Sequence, residues 1–193
     1  MANGRVRTGF SKPYVALYSA TENTVTYSSG MILARGVEVN VEAETSDDNN
    51  FYADNIIAES ASGVFTGGTV TLTVDGLKDA AAKLILGLPT AGEDGWFNYG
   101  DSMQIPYVGI GFVVRYMEDG VASYVPIVLP KAMFATPSEA ATTQGEEIDW
   151  QTQELTAEIF RDDTANHNWK KVNAGQTTEA AAEALIKTFL GIQ

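Results

Sequence analysis

Residues 69–74, "TVTLTV", leave little freedom of fold. Threonine alternates with valine and leucine, so Val70, Leu72 and Val74 fall on one side of an extended chain and Thr69, Thr71 and Thr73 on the other. In a helix the same residues would be spread around every side. The period returns in residues 36–45, "GVEVNVEAET", where Val37, Val39 and Val41 oppose Glu38, Asn40, Glu42 and Glu44. It returns again where Leu155, Ala157 and Ile159 oppose Glu154, Thr156 and Glu158. Strands with one oily and one wet face belong to antiparallel sheets packed on one side.

Other segments extend the pattern. Residues 14–20 read as a strand and 24–28 as a short strand or turn. Residues 31–45 read as one long strand with a bulge at Gly36. An acidic loop follows, and residues 50–60 read as the partner strand. Residues 105–116 and 123–134 flank "MEDG", a hairpin turn, and 147–161 form a further strand. Trp169 and Lys170 fit a short last one. Two segments differ. In residues 78–86, "KDAAAKLIL", alanine and leucine run together until Gly87 and Pro89 stop a short helix. Residues 177–190 read as a second helix, with a threonine cap, Glu179 in the first turn, and Leu185, Ile186 and Phe189 as its apolar side. The expected fold is mainly β, a sandwich or barrel with one short central helix and a C-terminal helix. The expected organisation is an N-terminal arm over residues 1–13, a β domain over 14–170 and a helical extension over 171–193.

Of the 193 residues 45% are apolar, enough for a sizeable core. No apolar run reaches the roughly 18 residues that span a bilayer, and no apolar signal segment follows the first bases. A cytoplasmic site of synthesis is expected, and the absence of cysteine agrees with it. The net charge of −13 argues against a protein that grips nucleic acid, because phosphate contacts need a basic footprint. The bases are scattered apart from Arg5, Arg7 and Lys12.

Signals for chemistry are few. The one histidine, His167, lies in a polar turn, "DDTANHNW", with no nucleophile motif nearby, and reads as a surface residue. One histidine and no cysteine make zinc improbable. In the acidic loop Asp47 and Asn49 fit the first two positions of a calcium-binding loop. Phe51 and Tyr52 occupy the next ligand position and the glycine position, so the match fails. A different calcium geometry would draw on Asp54 or Asp75. "GVFTGGTV" lacks the lysine of a phosphate loop. Twenty-five acids supply many carboxylate pairs and select none. Neither enzymatic activity nor a cofactor is expected.

The order of four pieces resembles the bacteriophage major tail proteins of long-tailed, non-contractile phages of Gram-positive hosts. The pieces are "GVEVNVEAET" with "NNFYADN"; "GGTVTLTVDGL" with its helix; "YVGIGFVVRYMEDG" with its return strand; and the run from "ATTQG" to "WQTQEL". The likeness covers roughly residues 10–170. Gln144 departs from the usual lysine, and Gln153-Glu154 from an expected proline. The resemblance implies a tail tube subunit in the virion tail, assembled in the host cytoplasm. Six copies would form a ring, and stacked rings a hollow tube with a continuous β-barrel as its inner wall. Further partners would be tail proteins such as the tape measure and the tail terminator. DNA would pass through without specific binding, and no membrane would be involved. Glu38, Asn40, Glu42 and Glu44 would then line the channel, where an acidic wall repels the polyanion. Asp47, Asp48, Asn49, Asn50, Phe51 and Tyr52 would reach the neighbouring ring, and Arg5, Arg7 and Lys12 would meet an acidic surface of another subunit. The alternatives are the tube of a contractile tail or secretion system, and a carbohydrate-binding β-sandwich.

Overall fold

A computed structural model describes residues 4–89, 95–101, 103–144 and 149–193. The chain is mainly β. Its elements in order are β1 (Val6–Thr21), β2 (Thr24–Ile32), β3 (Gly36–Thr45), β4 (Asn49–Ala53), β5 (Ile56–Ala61), β6 (Phe65–Val74), α1 (Asp79–Leu86), β7 (Val108–Glu118), β8 (Val121–Phe134), β9 (Gln153–Phe160), β10 (Lys171–Val172) and α2 (Glu179–Phe189). One antiparallel sheet runs β2-β1-β7-β8-β9-β6-β3, with β10 paired to β8, and β4-β5 form a separate hairpin. The large sheet curls until β1 approaches β3, and the Phe10 ring sits over Gly36.

The alternation decides what the curl encloses. Val70, Leu72 and Val74 of β6 and Leu155, Ala157 and Ile159 of β9 join Val108, Ile110 and Phe112 of β7 in one core. Helix α1 contributes Ala81, Leu84, Ile85 and Leu86 to it. The helix ends at Gly87, whose left-handed backbone (φ 60°) suits glycine.

The outer face of β1-β7-β8 carries a second core. In "VGIGFVV" the large side chains Val108, Ile110 and Phe112 face inward, and Gly109 and Gly111 face outward. A Cβ on Gly111 would collide with Ile186, and one on Gly109 with Tyr27 and Leu190. The two glycines therefore make the seat for α2, where Ala182, Ile186 and Leu190 pack on Tyr14, Ala16, Val113 and Val128. The helix starts at Thr178, whose hydroxyl accepts from the Ala181 N–H.

Several expectations need correction. The span 31–45 is not one strand. It divides at residues 33–35, where Leu33 turns into the core and Arg35 bonds Asp75. Residues 50–60 do not pair with β3, whose partner is β6; they fold back on themselves as β4-β5. Residues 6–13, expected as an arm outside the β domain, are the first half of β1, paired with β7 from Val6–Met117 to Ser11–Val113. Phe10 explains this, because it packs edge-to-face on Phe112 at 5.6 Å. Of the strand expected over 147–161, the first two residues lie outside the described part, and pairing begins at Gln153.

Polar contacts pin α2 to β1. The Tyr14 hydroxyl donates to Glu183, and Lys187 and Lys12 lie 2.9 and 3.5 Å from the same carboxylate. Ser11 donates to Glu179. These contacts, the Tyr14 hydroxyl first and then the Lys187 ammonium, hold the Glu183 carboxyl down at about 2 from an ordinary 4.5. A depressed carboxyl stabilises the fold above its unfolded value and loses that contribution as pH falls toward the folded one. Urea midpoints of the parent are expected to drop between about pH 4.5 and pH 2 by more than those of Glu183→Gln. Equal slopes for the two proteins would show that the helix is not held this way.

Candidate functional site

The feature with the clearest chemical character is a wet face spread over β3, β6 and β9. Register makes it continuous. Glu38 pairs with Thr73 and Thr73 with Glu154; Asn40 with Thr71 and Thr71 with Thr156; Glu42 with Thr69 and Thr69 with Glu158. Directly opposed residues in an antiparallel sheet share a face. The rows therefore place Glu38, Glu42, Glu44, Glu154 and Glu158 on one surface, with threonines between them. All five glutamates are exposed and the threonines are half-buried. Asn40 donates to Glu42 at 2.8 Å. The opposite face of the same strands is the core, so neither set can move without the other.

Glu154 and Glu158 widen this surface from one strand to three. The sequence showed their alternation but gave no reason to join them to β3; the pairing through β6 supplies it. At the corner near β8, Lys131 opposes Phe160. Its ammonium lies 2.8 Å from Asp163 and over the rings of Tyr18 and Tyr107, so its charge is already engaged. The Tyr18 hydroxyl donates to Asp163, and burial followed by that carboxylate raises the tyrosine to about 12.

Strand β3 ends the sheet order and is hydrogen-bonded on one side only. Among the described residues no strand pairs with its other edge, which β1 approaches near Gly36. On its inner side Val39 and Val41 pack against the core, whereas Val37 is 56% exposed.

The acidic loop lies at the end of β3 and leads into the β4-β5 hairpin, every residue of which is exposed. The hairpin is attached by a stitched neck. The Ser46 N–H donates to the Val64 carbonyl at 2.9 Å, the Val64 N–H to the Ser46 hydroxyl at 3.1 Å, and the Gly63 N–H to Asp48 at 2.9 Å. A Cβ on Gly63 would run into the Ser46 carbonyl oxygen. Asp48 thus has a place within the subunit. Asp47, Asn49, Asn50, Phe51 and Tyr52 are exposed along the hairpin and its approach. Below the neck, Phe65 stacks face to face on Trp169, with ring centroids 4.6 Å apart, and Arg161 donates to the Phe65 carbonyl. The short last strand expected at Trp169 and Lys170 is Lys171–Val172, and Trp169, 104 positions after Phe65, instead closes the neck.

The basic cluster is engaged within the chain. Arg5 lies over the Tyr116 ring at 4.4 Å, Arg7 donates to the Tyr116 hydroxyl at 3.1 Å, and Lys12 pairs with Glu183. His167 sits in the turn expected for it, at φ 49°, with Nδ1 3.3 Å from the Asp162 carbonyl oxygen. The buried Asp162 carboxylate organises that turn by accepting from Thr164 and Asn168. Among the described residues no three carboxylate or imidazole groups converge to hold a metal, and no helix is long and apolar enough to cross a membrane. An open cleft of about 820 Å³ lies between the start of α1 and residues 137–141, with one described aromatic ring, Tyr99, on its wall.

No protein-family model matches the chain, and no curated protein matches it significantly.

The stack at the neck generates a prediction. Trp169→Ala should lower stability by about 1–2 kcal/mol, the loss of an aromatic pair and part of its buried area. Amide exchange should accelerate between residues 46 and 64 while β6 and β9 keep their protection. Unchanged exchange in the neck would mean that the stack does not set the hairpin's base.

Proposed function

We propose that this protein is a structural subunit of a phage tail tube, assembling as stacked rings into a hollow conduit for DNA. The observation that carries the reading is the three-strand anionic face backed by core and bordered by an open strand edge. An unpaired strand edge invites pairing with another chain, and closure into a barrel removes it. If successive copies add their sheets edge to edge, the face with Glu38, Glu42, Glu44, Glu154 and Glu158 becomes the inner wall. With a Debye length of about 8 Å in physiological salt, only charges at the wall act strongly on a passing polyanion. Carboxylates there repel phosphates, and threonines leave the wall polar without giving it positive charge. The order of sequence motifs, similar to that of major tail proteins, supports the same reading.

In this role the subunit works by shape and charge and carries out no reaction. The β4-β5 hairpin serves as the contact to the next ring, and the virion tail is the place of action. The tube of a contractile tail or secretion system would use the same wall. A carbohydrate-binding module is less well supported. Sugar sites stack rings on aromatic faces, and the cleft beside α1 has one such ring among its described walls. Electron microscopy of the purified protein at rising concentration tests the reading, with rings or tubes expected and monodisperse single subunits counting against it.

Glu38→Lys, Glu42→Lys and Glu44→Lys together should leave the subunit fold intact, since all three side chains are exposed. Tubes of that variant should retain added DNA, and retention should ease as salt rises, because each phosphate contact releases counterions. Adding Glu154→Lys and Glu158→Lys should strengthen retention. Tubes of the five-fold variant that hold no more DNA than the parent would show that this face does not line the channel.

A further inference from the structure

The hairpin β4-β5 carries apolar side chains on both of its faces. Phe51 pairs with Glu59, Ala53 with Ile56, and Tyr52 with Ile57, with a bulge after Phe51. Phe51 and Ile56 therefore share one face, with Ala53 and Ala61. Tyr52 and Ile57 share the other, with Asn50 and Ser60. Exposures are 63% and 66% on the first face, and 61% and 54% on the second. A hairpin that lies flat on one surface needs a single apolar face, because side chains alternate. A lone two-stranded hairpin is also marginal in water. This one has an aromatic and an isoleucine on each side, and both strands are exposed throughout.

We infer that the hairpin is a wedge, buried on both faces between two other copies of this chain in the assembled state. The inference rests on the tube reading and goes beyond it in fixing how the hairpin docks. Charge indicates the receiving surface. Residues 36–77 contain eight acids and no lysine or arginine, and Asp54 and Glu59 lie on the hairpin itself. The complementary charge is carried by Arg5, just before β1, and by Arg7 and Arg115 on the paired strands β1 and β7. All three are exposed, and Arg5 and Arg7 rest on Tyr116 with no carboxylate partner among the described residues. Docking there would leave the aromatic anchors to supply the contact energy and the arginines to select the partner.

The chain has no cysteine, so one introduced thiol reports one site. Ala53→Cys marks the Phe51 face and Ser60→Cys the Tyr52 face, each a small change at an exposed position. Maleimide labelling is measured on free subunits and on tubes. The expected result is a fall of at least about tenfold at both positions on assembly, as for any thiol moved from solvent into a packed interface. A fall at one position only means that the hairpin lies flat on a single neighbour, which overturns the wedge. Tubes in which both thiols label as in free subunits overturn it while leaving the tube reading intact. A parent protein that forms no tubes under any condition sinks both. Protection of the free subunit by phosphatidylcholine vesicles would identify a lipid surface instead and overturns the inference. A charge exchange checks the receiving surface without any thiol. Arg5→Glu with Arg7→Glu should slow tube growth at least about tenfold, and Asp54→Lys with Glu59→Lys in the same chain should restore it in part. No slowing, or slowing without restoration, excludes those arginines.

Discussion

The register between β6 and its two neighbours is the constraint on which the rest depends. Each residue of β6 faces either the core or the anionic surface, and pairing passes that choice to β3 on one side and β9 on the other. A shift of one residue would bring the threonines inward and push Val70, Leu72 and Val74 into water. It would also bury glutamates without partners, at several kcal/mol each. The hydrophobic term thus fixes the charge pattern. The glutamates gain nothing for the fold by standing in rows, yet they stand in rows because the residues between them must be buried.

A second dependence links the two sides of β7. Its inward residues are large and its outward ones include two glycines, so the same strand closes the main core and seats α2. The seat is tight: Ile186 and Leu190 lie where side chains on Gly109 and Gly111 would be. The helix then covers apolar surface on β1 and β8 that would otherwise face solvent, and Glu183 ties it down through Tyr14, Lys12 and Lys187.

Much of this was legible in the sequence, for reasons specific to the segments. Strands β6 and β9 have strong period-2 patterns and one dominant environment on each side, and both helices have alanine-rich runs with clear stops. The misread segments lack that simplicity. Residues 31–45 look continuous, but the chain must turn at Leu33 to enter the core, and only the Arg35–Asp75 contact from β6's far end reveals the corner. Residues 50–60 have β character without a buried face, so pattern alone could not say whether they pair with β3 or with themselves. Residues 6–13 carry charge and read as an arm outside the β domain, and it is Phe10 against Phe112 that binds them to the sheet. For the candidate site, the acids of β3 were visible at once. Joining Glu154 and Glu158 to them required the strand order, which local sequence does not encode.

The clasp beneath the hairpin has a consequence for timing. Phe65 finds its stacking partner, Trp169, and its carbonyl's donor, Arg161, only near the end of the chain. Strand β9, which backs the hairpin's root through β6, is also made late. A polypeptide still on the ribosome therefore has the residues of its exposed hairpin long before it has the parts that aim it. Completion of the C-terminal third is therefore what gives the hairpin a fixed direction.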